Sequence, residues 1–168
     1  DFMIKTVITA AGKGVRLLPA TKSIPKEMLP IFSNRYDQRI LTPLLQHIFD
    51  QLFELEIRNY CFVVGREKRS IEDHFTPHNS YLKEIAKNDR IILKNFYQKL
   101  NKSHIMWVNQ NQPLGFGDAV KRTEKFVGND DFVVHAGDVT IMGHSPHPIQ
   151  RFLKTIKNDP TISCVLLC

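Results

Sequence analysis

Ile4-Lys5-Thr6-Val7-Ile8-Thr9 runs straight into Ala10-Ala11-Gly12-Lys13-Gly14-Val15-Arg16, and the change of character between the two halves decides the reading of the chain. The first half is short, β-branched and bounded by small residues, the pattern of a buried strand. The second half reads only as a loop. Gly12 and Gly14 let the backbone turn sharply and approach a ligand with no side chain in the way. Their amides can then point at phosphate oxygens as an anion nest. Taken alone, the same glycines would serve any strand-to-loop turn. The dinucleotide fingerprint needs its glycines to lead directly into a helix, whereas Leu18-Pro19 follows here, and the Gly-Lys-Ser/Thr of a P-loop is absent.

Downstream, Leu17 to Ile31 carries Pro19, Pro25 and Pro30 at intervals too close for a continuous helix. Thr42-Pro43 is expected to cap and open a helix. Its apolar face is Leu44, Ile48, Leu52 and Leu55, widened by Leu45, Phe49 and Phe53. Tyr60 to Val64 reads as a second strand ended by Gly65, and Ser70 to Phe75 as a short helix. Residues 76–104, rich in Lys, Asn and Tyr with some helical pattern around Leu82, Ile85 and Ala86, are expected to form an exposed surface insertion. His104 to Val108 reads as a strand, with Trp107 in the core. The loop Gln110 to Gly117 follows, then a helix from Asp118, its N-cap, to about Phe126. Phe132 to Ala136 is a strand that delivers Gly137-Asp138 at its carboxyl end. Pro148 opens a helix through Lys157, ended by Asn158-Asp159-Pro160, and Thr161 to Leu167 reads as a last strand.

Strands alternating with helices predict one α/β domain over residues 1–168, with a mixed, mostly parallel sheet flanked by helices. Ligands of such sheets bind at the carboxyl ends of the strands, and the loops 10–16, 110–117 and 137–138 all fall there. The chain stops on a strand with no helix to cover it, so the sheet is expected to continue in further sequence.

The 168 residues are 42% hydrophobic and 24% charged, a globular and not a disordered composition. Apolar runs such as Val165-Leu166-Leu167 are too short to span a bilayer. No basic-then-apolar leader opens the sequence, which argues against secretion. Cys61, Cys164 and Cys168 have no C-x-x-C spacing. Cys61 and Cys164 sit in apolar strand-like runs, so both are expected to be small hydrophobes in a reducing cytoplasm. The net charge of +6 fits a protein that handles polyanions. No basic stripe is interleaved with aromatics, so nucleic acid is not the expected partner. His135, His144 and His147 lack the familiar ligand spacings and are read as satisfied or solvated histidines.

Residues 11–30, Ala11-Gly12-Lys13-Gly14-Val15-Arg16-Leu17-Leu18-Pro19-Ala20-Thr21-Lys22-Ser23-Ile24-Pro25-Lys26-Glu27-Met28-Leu29-Pro30, closely resemble the sugar-1-phosphate nucleotidyltransferase signature A-G-x-G-T-R-x-x-P-x-T-x-x-x-P-K-x-x-L-P. The Pro-Ala-Thr-Lys and Pro-Lys-Glu-Met-Leu-Pro wording looks most like UTP–glucose-1-phosphate uridylyltransferases. Val15 departs from the pattern, which has Thr there. Gln110-Asn111-Gln112-Pro113-Leu114-Gly115-Phe116-Gly117-Asp118-Ala119 resembles the family's Q-x-x-P-x-G-x-G-x-A loop, and Gly137-Asp138 its metal-binding aspartate after a strand. The resemblance implies a Rossmann-like nucleotidyltransferase fold, here lacking its C-terminal part, and transfer of a uridylyl group from UTP to a sugar 1-phosphate with release of pyrophosphate. Glucose 1-phosphate is the first expectation for the sugar. It further implies that Arg16 clamps the β- and γ-phosphates, that Lys26 sits near the α-phosphate and the incoming sugar phosphate, and that Asp138 holds Mg²⁺. The Ala11-Gly12 backbone and Gln110 would read the base, with Gly115 closing over the ring. Alternatives are another base or sugar, such as dTTP or GTP with mannose 1-phosphate, or a non-catalytic nucleotide-binding module of the same fold. The oligomeric state is left open, a homo-oligomer included.

These residue types suit that chemistry. A phosphate nucleophile is already ionised and needs no general base, so positioning and charge stabilisation carry the reaction. Arginine donates two parallel hydrogen bonds and stays charged. Aspartate is a hard oxygen ligand for Mg²⁺, and a glutamine amide matches the N3–H and a carbonyl of uracil. Asp138 and Gln110 also have plainer readings, as a turn residue and a solvated loop residue.

Overall fold

The computed structural model describes residues 4–35, 38–141, 147–159 and 161–166. Strand β1 (Lys5–Ala10) is followed by an antiparallel hairpin of β2 (Pro30–Arg35) and β3 (Gln38–Pro43), then by α1 (Leu44–Glu54) and β4 (Asn59–Val64). Helices α2 (Arg69–His74), α3 (Tyr81–Glu84) and α4 (Lys87–Asn101) lead to β5 (His104–Asn109). Helices α5 (Phe116–Lys121) and α6 (Glu124–Val127) lead to β6 (Phe132–Ala136), and α7 (Pro148–Asn158) comes last. Strands β1, β4, β5 and β6 form one parallel sheet in the order β5-β4-β1-β6. The chain steps outward from β1 to β5 and then returns to the other side of β1. The crevice between the carboxyl ends of β1 and β6 is therefore the switch point where such folds take ligands.

The two faces of the sheet follow from the two-residue alternation of strand side chains. Ile8, Tyr60, Phe62 and Val64 point to one face, where Leu45, Ile48, Phe49 and Leu52 of α1 meet Ile71 and Phe75. Val7, Cys61 and Val63 point to the other, under Ala119 and Val127 of α5 and α6. Both faces of the inner strands are covered, which is why β1 and β4 read as continuous apolar runs. Trp107 is partly buried and stacks on Phe62 with ring centroids 4.9 Å apart.

Several expectations change. The hairpin β2–β3 has no counterpart in the sequence reading, because Ile31-Phe32-Ser33 and Ile40-Leu41-Thr42 are too short and mixed to stand out. Thr42 does not cap α1: it lies in β3, where its hydroxyl meets that of Ser33 at 2.8 Å, and Pro43 precedes the helix. The segment 76–104 is not simply an exposed insertion. Its α4 is part of the crossover from β4 to β5, and buries Phe96, Tyr97 and Leu100 in the main core. Asp118 is inside the first turn of α5, and the cap position belongs to Gly115. Residues 161–166 carry no strand, and Cys164 is exposed. His144 and Cys168 lie outside the described residues.

One packing detail has a pH signature. His74 of α2 hydrogen-bonds Gln46 at 2.8 Å and packs 5.2 Å from the Phe96 ring. Burial lowers its pKa from 6.5 to about 4. The unfolded chain binds the proton more readily, so stability is full above about pH 6.5 and falls as pH drops toward 4. The loss is at most about 3 kcal/mol. Urea unfolding of wild type and His74→Leu between pH 7 and 4 should show their stability gap shifting by up to that amount in favour of the variant. A gap independent of pH would contradict the assignment.

Candidate active site

The loop after β1 begins where the sheet leaves no room for side chains. A methyl group on Gly65, at the end of β4, would lie 3.0 Å from the carbonyl oxygen of Ala11. One on Gly137, after β6, would lie 2.9 Å from the carbonyl oxygen of Thr9. The loops leaving β4 and β6 thus press against the end of β1 from both sides. Gly14 then turns the chain with φ +67 and packs against Thr21, whose hydroxyl donates to the Gly14 carbonyl at 2.7 Å. This contact folds residues 15–24 back over the strand ends.

That fold-back brings Lys26 to Asp138. Lys26 stands on a short 3₁₀ turn, Lys26–Met28, and its Nζ lies 2.5 Å from Asp138 Oδ2, a contact across 112 residues of chain. The Lys26 ammonium also passes over Gly12, 3.2 Å from where a β-carbon would sit. A side chain on Gly12 would crowd the tip of Lys26.

A cavity of about 510 Å³ opens beside this pair. Ala11 and Gln110 line it, together with the cations Lys13, Lys22, Arg66 and Lys68 and one acid, Glu67. Two lining residues are chain neighbours of the pair's surroundings: Ala11 precedes Gly12, and Pro25 precedes Lys26. Gln110 is buried, and its backbone N–H donates to Val64 at 2.8 Å. Its Nε2 donates to the Gly115 carbonyl at 3.1 Å and to Asp118 Oδ2 at 2.7 Å. Arg122 Nε donates to the same Asp118 oxygen at 2.8 Å. The hydrogen bonds from Arg122 and Gln110 hold the Asp118 carboxyl below its ordinary range. Gly115 has φ +106, which favours glycine at the entry to α5.

The expected site residues are therefore brought together in part. Lys26, Asp138 and Gly12 form one contact group, and Ala11, Gln110 and Gly115 form the neighbouring one. Gly14 shapes the loop from behind. Arg16 is exposed on the 3₁₀ turn Val15–Leu17, outside the cavity lining. Sequence reasoning missed Glu27 and Lys68. Glu27 is fully buried and its Oε2 accepts from Lys68 Nζ at 2.7 Å. Charged residues are almost never buried unless paired, so no local pattern marks such a glutamate; only its place beside Lys26 draws the eye.

As a metal site, Asp138 offers one carboxylate. Among the described residues no group of three or more His, Cys, Asp or Glu could hold an ion. An ion here would take most of its ligands from water and from phosphates of a bound molecule, which is the habit of Mg²⁺. The residues present fit that mode. His135 is buried, with Nδ1 2.7 Å from the Ala136 carbonyl, and His147 Nδ1 accepts from the Ile149 N–H at the start of α7.

A family model described as nucleotidyl transferase matches residues 5–167. A UTP–glucose-1-phosphate uridylyltransferase of Bacillus subtilis (strain 168) is 39% identical over 145 residues, 84% of this chain and 46% of the relative. Its namesake in Streptococcus pneumoniae serotype 4 is 41% identical over 137 residues, 80% of this chain and 42% of the relative. Among solved structures, UDP-glucose pyrophosphorylase complexed with UDP-glucose aligns with a TM-score of 0.74 and 31% identity, over 92% of this chain and 53% of that chain. UTP-bound UGPase from Acinetobacter baumannii aligns with a TM-score of 0.78 and 29% identity, over 94% of this chain and 54% of that one. The chain spans about half the length of the relatives it matches.

Two glycines separate the frame from the site. Gly137→Ala forces a backbone oxygen to move and should cost about 1–3 kcal/mol, seen as a lower melting temperature. Gly12→Ala meets only the tip of Lys26, so it should leave the melting temperature within about 2 °C while displacing the ammonium from Asp138. Equal destabilisation by both would overturn this division.

Proposed function

Because the chain belongs to the nucleotidyl transferase family, we propose that it carries the UTP-binding half of a UTP–glucose-1-phosphate uridylyltransferase, which gives UDP-glucose and pyrophosphate. The observation that carries this reading is the Lys26–Asp138 pair over Gly12, set at the switch point of the sheet beside a cavity with four cations in its wall. The named activities of the relatives support the choice of nucleotide and sugar.

In this reading uracil lies between the Ala11-Gly12 backbone and Gln110. Both hydrogens of the Gln110 amide are spent on Gly115 and Asp118, so the side chain reads the base through Oε1, an acceptor for the uracil N3–H. Gly115 closes the ring pocket. The triphosphate passes over Gly12, where Lys26 faces the α-phosphate and the incoming sugar phosphate. Asp138 would hold the Mg²⁺, which would supply charge to offset the phosphates and orient their oxygens. Arg16, exposed at the rim of the glycine loop, swings onto the β- and γ-phosphates that leave as pyrophosphate. The sugar phosphate oxygen attacks the α-phosphorus in line, and no side chain need remove a proton.

Burial pushes the Cys61 thiol up to about 11, which makes it inert. Among the described residues no helix is long and apolar enough to cross a membrane.

UTP with Mg²⁺ should raise the melting temperature of the chain more than GTP or dTTP does, because a ligand of the native state stabilises it. Lys26→Ala and Arg16→Ala should each leave the unliganded melting temperature in place. Each should weaken the UTP effect, and in an active full-length enzyme lower turnover by two to three orders of magnitude, about 3–4 kcal/mol. Equal shifts with all three triphosphates, or unchanged variants, would count against the reading.

A further inference from the structure

The Glu27–Lys68 pair is poorly explained as a stability device. Glu27 is 0% exposed and Lys68 7%. Oε2 of Glu27 accepts from Lys68 Nζ at 2.7 Å, while Oε1 is buried with no hydrogen-bond partner among the described residues. Removing two charges from water is costly, and an apolar pair of similar volume is often as stable or more so. A half-satisfied buried carboxylate raises that cost and calls for an explanation.

The placement of Lys68 supplies one. It precedes α2, directly after the loop that presses on Ala11, and it lines the same cavity as Ala11 and Gln110. The other cations of that wall, Lys13, Lys22 and Arg66, are exposed. An ammonium has three donors, and the pairing with Glu27 uses one. Glu27 sits in the same 3₁₀ turn as Lys26, so the pair also ties that turn to the end of β4. A cation held in fixed geometry loses less entropy on meeting an anion than a free surface lysine does.

We propose that Lys68 is a further phosphate-contacting cation of the nucleotide site and that Glu27 is its positioning residue. This rests on the reading of the cavity as part of the UTP site. Phosphate is the favoured target because the cavity wall carries four cations against one acid. Glu27 does not touch the nucleotide; it fixes the direction of the Lys68 ammonium and the seat of Lys26.

The test is calorimetric titration of the 168-residue chain with UTP, inorganic tripolyphosphate and uridine, on wild type, Lys68→Arg and the double variant Glu27→Met/Lys68→Met. The double variant should keep or raise the melting temperature. It should lose about tenfold or more in affinity for UTP and tripolyphosphate, the usual scale for one charged hydrogen bond, and hold uridine within about twofold. Lys68→Arg should retain most of the UTP affinity. Should the double variant fail to fold, Lys68→Gln, whose amide still donates to Glu27, carries the same comparison. Unchanged UTP affinity, or equal losses for UTP and uridine, would overturn the proposal and leave the UTP reading standing. Wild type that binds neither UTP nor tripolyphosphate would overturn both.

Discussion

Strand β1 is held between β4 and β6 in parallel register, with side chains buried on both faces, and every loop of the site is referred to its carboxyl end. Because Gly65 and Gly137 carry no side chain, their loops close to within van der Waals distance of the Ala11 and Thr9 carbonyls. The strand ends in a loop crowded from both sides, and the chain continues through Gly12 and Gly14. Packing of the sheet thus dictates where the glycine loop lies, and the glycine loop dictates where Lys26 can reach.

From this the electrostatics follow. Lys26 and Glu27 are adjacent in one 3₁₀ turn yet face opposite partners, Asp138 on the β6 side and Lys68 on the β4 side. A turn of three residues is thereby pinned to both flanks of β1. The exposed member of this arrangement, the Lys26–Asp138 pair, is free to open for a ligand, because a partly solvated pair contributes little on its own. The buried member has no such freedom and holds its geometry.

Much of this was legible in the sequence, for physical reasons that differ by element. β1 and β4 stood out because strands covered on both faces need unbroken apolar runs. α1 stood out because a surface helix needs a single apolar stripe. Lys26, Gly12 and Gly14 stood out through the long pattern of residues 11–30, and Gln110, Gly115 and Asp138 through two shorter blocks that follow it. The hairpin β2–β3 was invisible because Phe32 and Leu41 remain exposed and break the expected alternation. α4 was misjudged because its charged outer face outweighs the few residues, Phe96, Tyr97 and Leu100, that bind it to the core. The role of Asp118 was misread as a cap because its carboxylate serves Gln110 and Arg122 instead, a tertiary contact that no local pattern announces.

The central claim is that one ligand bridges the cavity wall and the Lys26–Asp138 pair. The most direct measurement is amide chemical-shift mapping of the isotope-labelled chain titrated with UTP and Mg²⁺. The account predicts that Ala11, Gly12, Lys26, Gln110 and Asp138 shift together along one saturation curve. Shifts confined to other parts of the fold, or separate curves for the two groups, would contradict it.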